Sequence, residues 1–245
     1  MKNTANLKRL AAAAFALMLA GCSSTAKNCS PDDLVKMKDL KCYEIPGLPG
    51  MSKWRCTDSA GTYTAEGILT GGERNGLWEI SEDNPLYGKI RSTGVYLNGY
   101  KDGPWKTFYA NGVLKSEANY SEGCPQGYFA DYAENGILLQ SGYYAGGLKT
   151  GEWKIFHFNG VMQASGSYIN DEPAGEWATF YENGVQESKG AFKGGLKTGY
   201  WKFWAPNGTP HSEGSYVDGK KEGEWTFYSE GSSKKVKYSN DEELK

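Results

Sequence analysis

From about residue 61 onward the chain repeats itself every 24 residues. A unit of that length cannot enclose a core of its own, so each copy must bury its apolar face against its neighbours. Gly-x-Trp stands at Gly103 to Trp105, Gly151 to Trp153, Gly175 to Trp177, Gly199 to Trp201 and Gly223 to Trp225, with Gly127-Tyr128-Phe129 in the remaining slot. An earlier unit at Gly76-Leu77-Trp78 carries three additional residues before Tyr87-Gly88, and Trp54 lies another 24 residues upstream. Asn-Gly follows six residues after the aromatic, at Asn111, Asn135, Asn159, Asn183 and Asn207. Each Asn-Gly between apolar runs marks a hairpin turn.

A two-residue Asn-Gly loop of type I′ predicts pairing of Trp153 to Phe158 with Val161 to Tyr168, which sets Phe156 opposite Gln163 and Trp153 opposite Gly166. The same count sets Phe129 opposite Gly142, Trp177 opposite Gly190 and Trp201 opposite Gly214, so a large ring covers a residue without a side chain. Trp105 departs from this, facing Ala118. Trp78, Trp105, Phe129, Trp153, Trp177, Trp201 and Trp225, with diagonal neighbours Tyr120, Tyr144, Tyr168, Phe192 and Tyr216, should form one aromatic ladder that serves as the core. The expected fold is all-β: an elongated, single-layer antiparallel sheet of consecutive hairpins, with about fourteen strands over roughly 60 to 70 Å.

Strand alternation sends Phe108, Tyr132, Phe156, Phe180, Trp204 and Tyr228 to the face opposite the ladder, among mostly polar neighbours. This stripe is the candidate partner surface. The structural alternative is that its rings stack along the sheet, and a bulge would overturn the assignment of faces.

The pattern Gly-x-Trp-x-x-aromatic-x-x-Asn-Gly, then Gly-x-Tyr, resembles the MORN repeat variant family over residues 61 to 231. Many bacterial members are regarded as antitoxin-like or immunity-like, and related eukaryotic repeats form extended sheets that act as scaffolds or contact phospholipid. The resemblance therefore implies a binding protein whose partner is another protein, of which a toxin or effector is the sharpest case.

At the N-terminus, Lys2, Lys8 and Arg9 precede the apolar run Leu10 to Leu19, too short to span a bilayer and expected as a signal peptide, residues 1–21. Leu19-Ala20-Gly21-Cys22 resembles the lipobox of bacterial lipoproteins, which implies lipid attachment at Cys22 and membrane contact through that lipid. Ser23 after the cysteine implies the outer membrane of a Gram-negative envelope. Residues 22–28 would be a short tether, 29–60 a cysteine-containing cap, and 232–245 a polar tail blunting the far end of the sheet. Removing residues 1–21 changes the balance of 27 basic and 29 acidic residues to 24 against 29. That mild acidity disfavours nucleic acid and a polybasic membrane contact.

Cys29, Cys42, Cys56 and Cys124 remain for an oxidising compartment, with three connectivities open; Cys29 with Cys42 is preferred, because Ser30-Pro31-Asp32-Asp33 looks like a helix start that such a bond would staple. Zinc-type spacing is missing, and no metal or other cofactor is expected.

The residues argue against catalysis. His157 occupies a slot held by Tyr109 or Tyr181 elsewhere, and His211 one held by Gln163 or Glu187. Gly190 to Thr198 superficially resembles a phosphate-binding loop, but Leu196 separates Gly195 from Lys197 and Gly146 to Gly151 repeats the same string. Glu152, Glu176 and Glu224 form a row, where acid–base chemistry needs two carboxylates converging in a pocket. Three functions follow in order: a protein-binding scaffold or immunity protein, a structural lipoprotein touching lipid or peptidoglycan, and a hydrolase of unrecognised type.

Overall fold

The computed structural model describes residues 39–46 and 52–244. Cys22, the segment before it, the tether, Cys29 and the helix expected after Ser30 lie outside these residues. The described chain forms eighteen strands. The first six are β1 (Lys41–Ile45), β2 (Lys53–Thr57), β3 (Tyr63–Thr70), β4 (Glu73–Asn84), β5 (Gly88–Leu97) and β6 (Tyr100–Phe108). The next six are β7 (Leu114–Ser121), β8 (Cys124–Tyr132), β9 (Leu138–Ala145), β10 (Leu148–Phe156), β11 (Met162–Ile169) and β12 (Glu172–Phe180). The last six are β13 (Gln186–Lys193), β14 (Leu196–Trp204), β15 (Pro210–Val217), β16 (Lys220–Ser229), β17 (Ser232–Ser239) and β18 (Glu242–Leu244). Each strand pairs antiparallel with its neighbours in sequence, so the sheet is an open meander.

The fourteen strands expected between residues 61 and 231 are β3 to β16. Four more lie outside that span and lengthen the sheet to about 80 Å at ~4.8 Å per spacing. The supposed polar tail is β17 and β18, because Trp225 pairs with Val236 and Tyr238 continues the aromatic row against Trp225. The cysteine segment likewise adds β1 and β2 to the same sheet. Their register sets Cys42 opposite Cys56 at 4.0 Å between Cα atoms, and these two form a disulfide. The preferred Cys29–Cys42 pairing is thus corrected: Cys42 is taken by its cross-strand neighbour. Cys124 is disulfide-bonded as well.

The Asn-Gly loops are not type I′. The Gly160 amide donates to the His157 carbonyl at 2.9 Å and the His157 amide to the Val161 carbonyl at 2.8 Å. Only Gly160, with φ 83°, is left-handed. This is a three-residue loop, a type I turn closed by a glycine bulge. Phe156 consequently faces Met162, not Gln163, and a second shift between Ile155 and Phe156 restores Trp153 to Gly166. The two departures cancel, so the Trp–Gly register survives the wrong turn. Asn159 still has a local role: its Oδ1 accepts from the Val161 amide, and its Nδ2 reaches the Glu182 carbonyl in the next repeat's turn.

Two-residue turns with left-handed φ at both positions lie instead on the other long edge, between repeats. Asn98-Gly99 (50° and 82°), Asn170-Asp171 (52° and 68°) and Gly194-Gly195 (56° and 75°) are examples. The string that resembles a phosphate loop is therefore a type I′ hairpin turn running into β14. These turns too are bonded to the preceding repeat, as in the 2.9 Å bond from the Gly219 amide to the Lys197 carbonyl.

The ring that covers each strand glycine comes from the following repeat. A Cβ placed on Gly166 would lie 2.2 Å from Trp177 Cδ2, and one on Gly190 2.2 Å from Trp201 Cδ2, although the cross-strand partners of these glycines within their own hairpins are Trp153 and Trp177. A bulge accounts for the reach. Where β11 meets β12, Ser165 pairs with Ala178 and Ser167 with Ala174, leaving Gly175, Glu176 and Trp177 against Gly166. The Ser167 carbonyl, beside the bulge, accepts from the Trp177 indole at 3.0 Å. The same bond recurs from Trp105, Trp153, Trp201 and Trp225. Each of these bonds satisfies the N–H of a buried indole.

Candidate partner-binding face

The sheet has two dissimilar faces. On one, Trp78, Trp105, Trp153, Trp177, Trp201 and Trp225 are buried. Their neighbours meet them edge-on: Tyr144 to Trp153 at 5.2 Å, Tyr168 to Trp177 at 5.1 Å, Phe192 to Trp201 at 5.1 Å and Tyr216 to Trp225 at 5.0 Å. Phe129 enters the row against Tyr144 at 5.5 Å and Trp153 at 5.9 Å. Cations lie across the rings, with Lys149 4.1 Å from Trp153, Lys197 4.5 Å from Trp201 and Lys221 4.7 Å from Trp225. Burial pushes the Lys197 ammonium pKa down, with partial relief from Glu187. The corresponding positions on β8 and β12 are Pro125 and Pro173. At Pro173 the face opens into a cleft of about 230 Å³ lined by Trp177, Phe192, Trp201 and Phe203.

Phe108, Tyr132, Phe156, Phe180, Trp204 and Tyr228 stand on the other face, one on each even strand from β6 to β16, beside the Asn-Gly edge. Each is partly exposed. Successive rings are two strands apart, about 10 Å, which is beyond stacking distance. Among the described residues no ring contact joins any two of them. Instead the two tyrosines are fixed by carboxylates: the Tyr132 hydroxyl donates to Glu117 at 3.2 Å and the Tyr228 hydroxyl to Glu213 at 2.6 Å. Burial, then the Glu117 charge, pushes the Tyr132 phenol up to about 12. Glu213 is held below the ordinary carboxylate range, first by the Tyr228 hydrogen bond and then by Lys202, 3.4 Å away.

Around the stripe the charges are mutually compensated. Lys154 pairs with Glu152 at 3.4 Å, Lys189 with Glu176 at 3.0 Å and Lys235 with Glu224 at 2.6 Å. Exposed pairs like these contribute little stability, but they give the aromatic row a polar border of both signs. The same strand parity that selects the stripe also places Tyr128, Tyr143 and Tyr200 here, all well exposed, and the first two touch at 5.8 Å. Sequence reasoning passed over them because they occupy the variable position between Gly and Trp, or its cross-strand partner, and do not recur in every unit.

The histidines do not converge on anything. His157 Nε2 bonds the Phe180 carbonyl at 2.8 Å, the same bond to the next repeat that the Tyr109 and Tyr181 hydroxyls make to the Tyr132 and Trp204 carbonyls. His211 is exposed beside Ser212. The larger hollow, about 440 Å³, brings Glu66 near Glu79 and Phe108. Glu66, however, is engaged by Lys53 at 3.0 Å and Arg55 at 2.6 Å, and its pKa is lowered, chiefly by the Lys53 hydrogen bond. A general acid needs the opposite shift. Among the described residues no group of histidine, cysteine and carboxylate side chains has the arrangement of a metal site, and no helix is long and apolar enough to cross a membrane.

The fold and its faces define a class: an open hairpin-repeat sheet whose interior is a ring ladder and whose other side is a surface. Residues 101–122, 149–170 and 197–218 match the MORN repeat variant. The three matched stretches begin at or beside the ring-capping residues Lys101, Lys149 and Lys197. Such repeats generally form scaffolds for protein or membrane binding and are typically non-catalytic. No curated protein matches the chain.

Proposed function

We propose that this protein is a non-catalytic lipoprotein of the cell envelope, anchored through Cys22 at the outer membrane, that captures another protein on the face opposite its ring ladder. The partner class that fits best is a toxin or effector held by an immunity-type scaffold. The observation that carries the reading is the stripe itself: six partly exposed rings at a regular ~10 Å interval, with no ring partners among the described residues, bordered by compensated charge. Aromatic anchors inside a polar rim are the composition that protein interfaces favour. The ladder face is less suited to this role, since its rings are already spent on glycines and lysines.

The test is affinity capture with the intact lipoprotein, alongside a variant carrying Phe156→Ala, Phe180→Ala and Trp204→Ala whose β-sheet signal is retained. A stoichiometric protein captured by the parent and lost from the variant supports the reading. Equal capture by both removes the stripe from it, and binding of liposomes or peptidoglycan without any protein favours a structural lipoprotein instead.

A further inference from the structure

The cations that cap the ladder follow a rule with one exception. Arg74 lies 4.9 Å from the Trp78 ring, Lys101 4.8 Å from Trp105, Lys149 4.1 Å from Trp153, Lys197 4.5 Å from Trp201 and Lys221 4.7 Å from Trp225. Each stands four residues before its ring. In that place Trp177 has Pro173, which pairs with Tyr168 in the register that Lys149 keeps with Tyr144 and Lys197 with Phe192. Pro125 replaces the cation too, but it precedes Phe129, whose ring attracts a cation less strongly than an indole does. Among the described residues no cation lies over Trp177, and at 6% exposure it is the most exposed of the six buried ladder tryptophans.

We propose that the cleft at Pro173 is a binding site for a small organic ammonium, which takes the place over Trp177 that a lysine of the chain itself takes over Trp153 and Trp201 in the repeats on either side.

The walls of the cleft have the chemistry this ligand needs. Trp177, Phe192, Trp201 and Phe203 supply ring faces, and Glu187 stands at the same cleft with an exposed carboxylate that, among the described residues, makes no salt bridge. The position of Glu187 holds Lys115, Leu139, Gln163, His211 and Lys235 in other repeats. An acid thus occurs there only beside the tryptophan that lacks its cation. Lys197 also borders the cleft, but its ammonium is drawn over Trp201. A guest over Trp177 would lie two strand spacings from it, about 10 Å, the separation at which the chain already sets Lys221 from Lys197. The volume of about 230 Å³ lies below that of sites for drug-sized molecules and suits a group the size of a lysine side chain. A free alkylamine and a lysine side chain of a bound peptide present the same ammonium on the same stem.

The indole N–H signals of the full-length protein, labelled with nitrogen-15 at tryptophan and kept in non-ionic detergent, test this directly. The Trp177 signal is assigned by its loss in Trp177→Phe. n-Butylammonium should shift it with a dissociation constant on the order of millimolar, about fivefold tighter than the neutral isostere n-butanol. Pro173→Lys, which supplies the cation from the chain, should abolish the shift, whereas Pro173→Ala should keep it. Glu187→Gln should weaken binding about threefold, as expected for an exposed charge. Nα-acetyl-lysine methylamide distinguishes the sources: tighter binding than n-butylammonium assigns a protein side chain, and weaker binding assigns a free amine. No shift with either probe up to about 100 mM, equal binding of n-butanol, or a shift retained in Pro173→Lys would each overturn the proposal.

Discussion

At the joint between β7 and β8, Ala118 pairs with Phe129; at the joint between β13 and β14, Gly190 lies under Trp201, so closely that a Cβ would sit 2.2 Å from the indole. Both joints occur at the same place in the repeat, eleven residues from small residue to ring. Alanine occurs where the following ring is the smaller phenylalanine, and glycine where it is tryptophan, as also at Gly67 under Trp78, Gly94 under Trp105 and Gly214 under Trp225. In β17, where the following strand β18 brings no ring, the position holds Val236. The size of the side chain therefore answers to the next hairpin and not to its own. The packing unit straddles the repeat boundary, which is why the hairpins form one continuous sheet and not a string of separable units.

The contrast between the two joints can be broken from either side. Trp201→Ala should be the most damaging change, costing about 4 to 5 kcal/mol through lost burial and the lost indole bond to the Ala191 carbonyl, against about 3 for Phe129→Ala, measured by denaturant midpoint. Gly190→Ala should cost about 3 kcal/mol by overpacking, while Ala118→Gly should cost no more than about 1, the backbone penalty of a strand glycine. A finer contrast concerns the ring caps. Lys197→Ala should lose about 1 kcal/mol, and Pro173→Lys should recover a fraction of that by placing a cation over Trp177, both read from thermal melts.

The smallest effect is a pH slope at the β7–β8 joint, where Asp131 holds a ladder-face position that is Ile155 in β10 and Phe203 in β14. Burial raises the Asp131 carboxyl above its usual range, with Lys115, 4.0 Å away, partly offsetting it. The native state then keeps this proton more firmly than the unfolded chain. The contribution of Asp131 to stability should therefore be greatest below the ordinary carboxylate range and decline as pH rises through the Asp131 value, opposite in sign to that of Glu66 and Glu213. Asp131→Asn should flatten that decline in melts taken across the acidic range, and an unaltered slope would remove Asp131 as its source.

Much of this fold could be read from spacing. Trp153 opposite Gly166 followed from counting out from Asn159-Gly160, and the count survived a wrong turn type because the longer loop and the bulge beside Gln163 offset one another. Neither is visible in a count that uses only the sum of two residue numbers. Bulges leave little trace in sequence, which also hid the wide bulge at Gly175 and Glu176 that carries Trp177 over Gly166. The true type I′ turns had a signal in Asn98-Gly99, overlooked beside the louder Asn-Gly series. That Trp177 covers Gly166 was obscured by periodicity, since the glycine lies thirteen residues after one tryptophan and eleven before the next. Ala118 and Phe129, two exceptions separated by eleven, held the answer. The stripe was legible as a parity but not as a binding site, because spacing states which way a ring points and nothing about what touches it.

The central claim, that cover crosses the repeat boundary, is tested most directly by two double-mutant cycles on Gly190→Ala, one with Trp201→Phe and one with Trp177→Phe, each followed by equilibrium unfolding. The structure predicts a coupling of about 2 kcal/mol with Trp201→Phe, which recreates the Ala118–Phe129 joint, and additivity within about 0.5 kcal/mol with Trp177→Phe. Coupling to Trp177 with additivity at Trp201 would contradict it and return the cover of each glycine to its own hairpin.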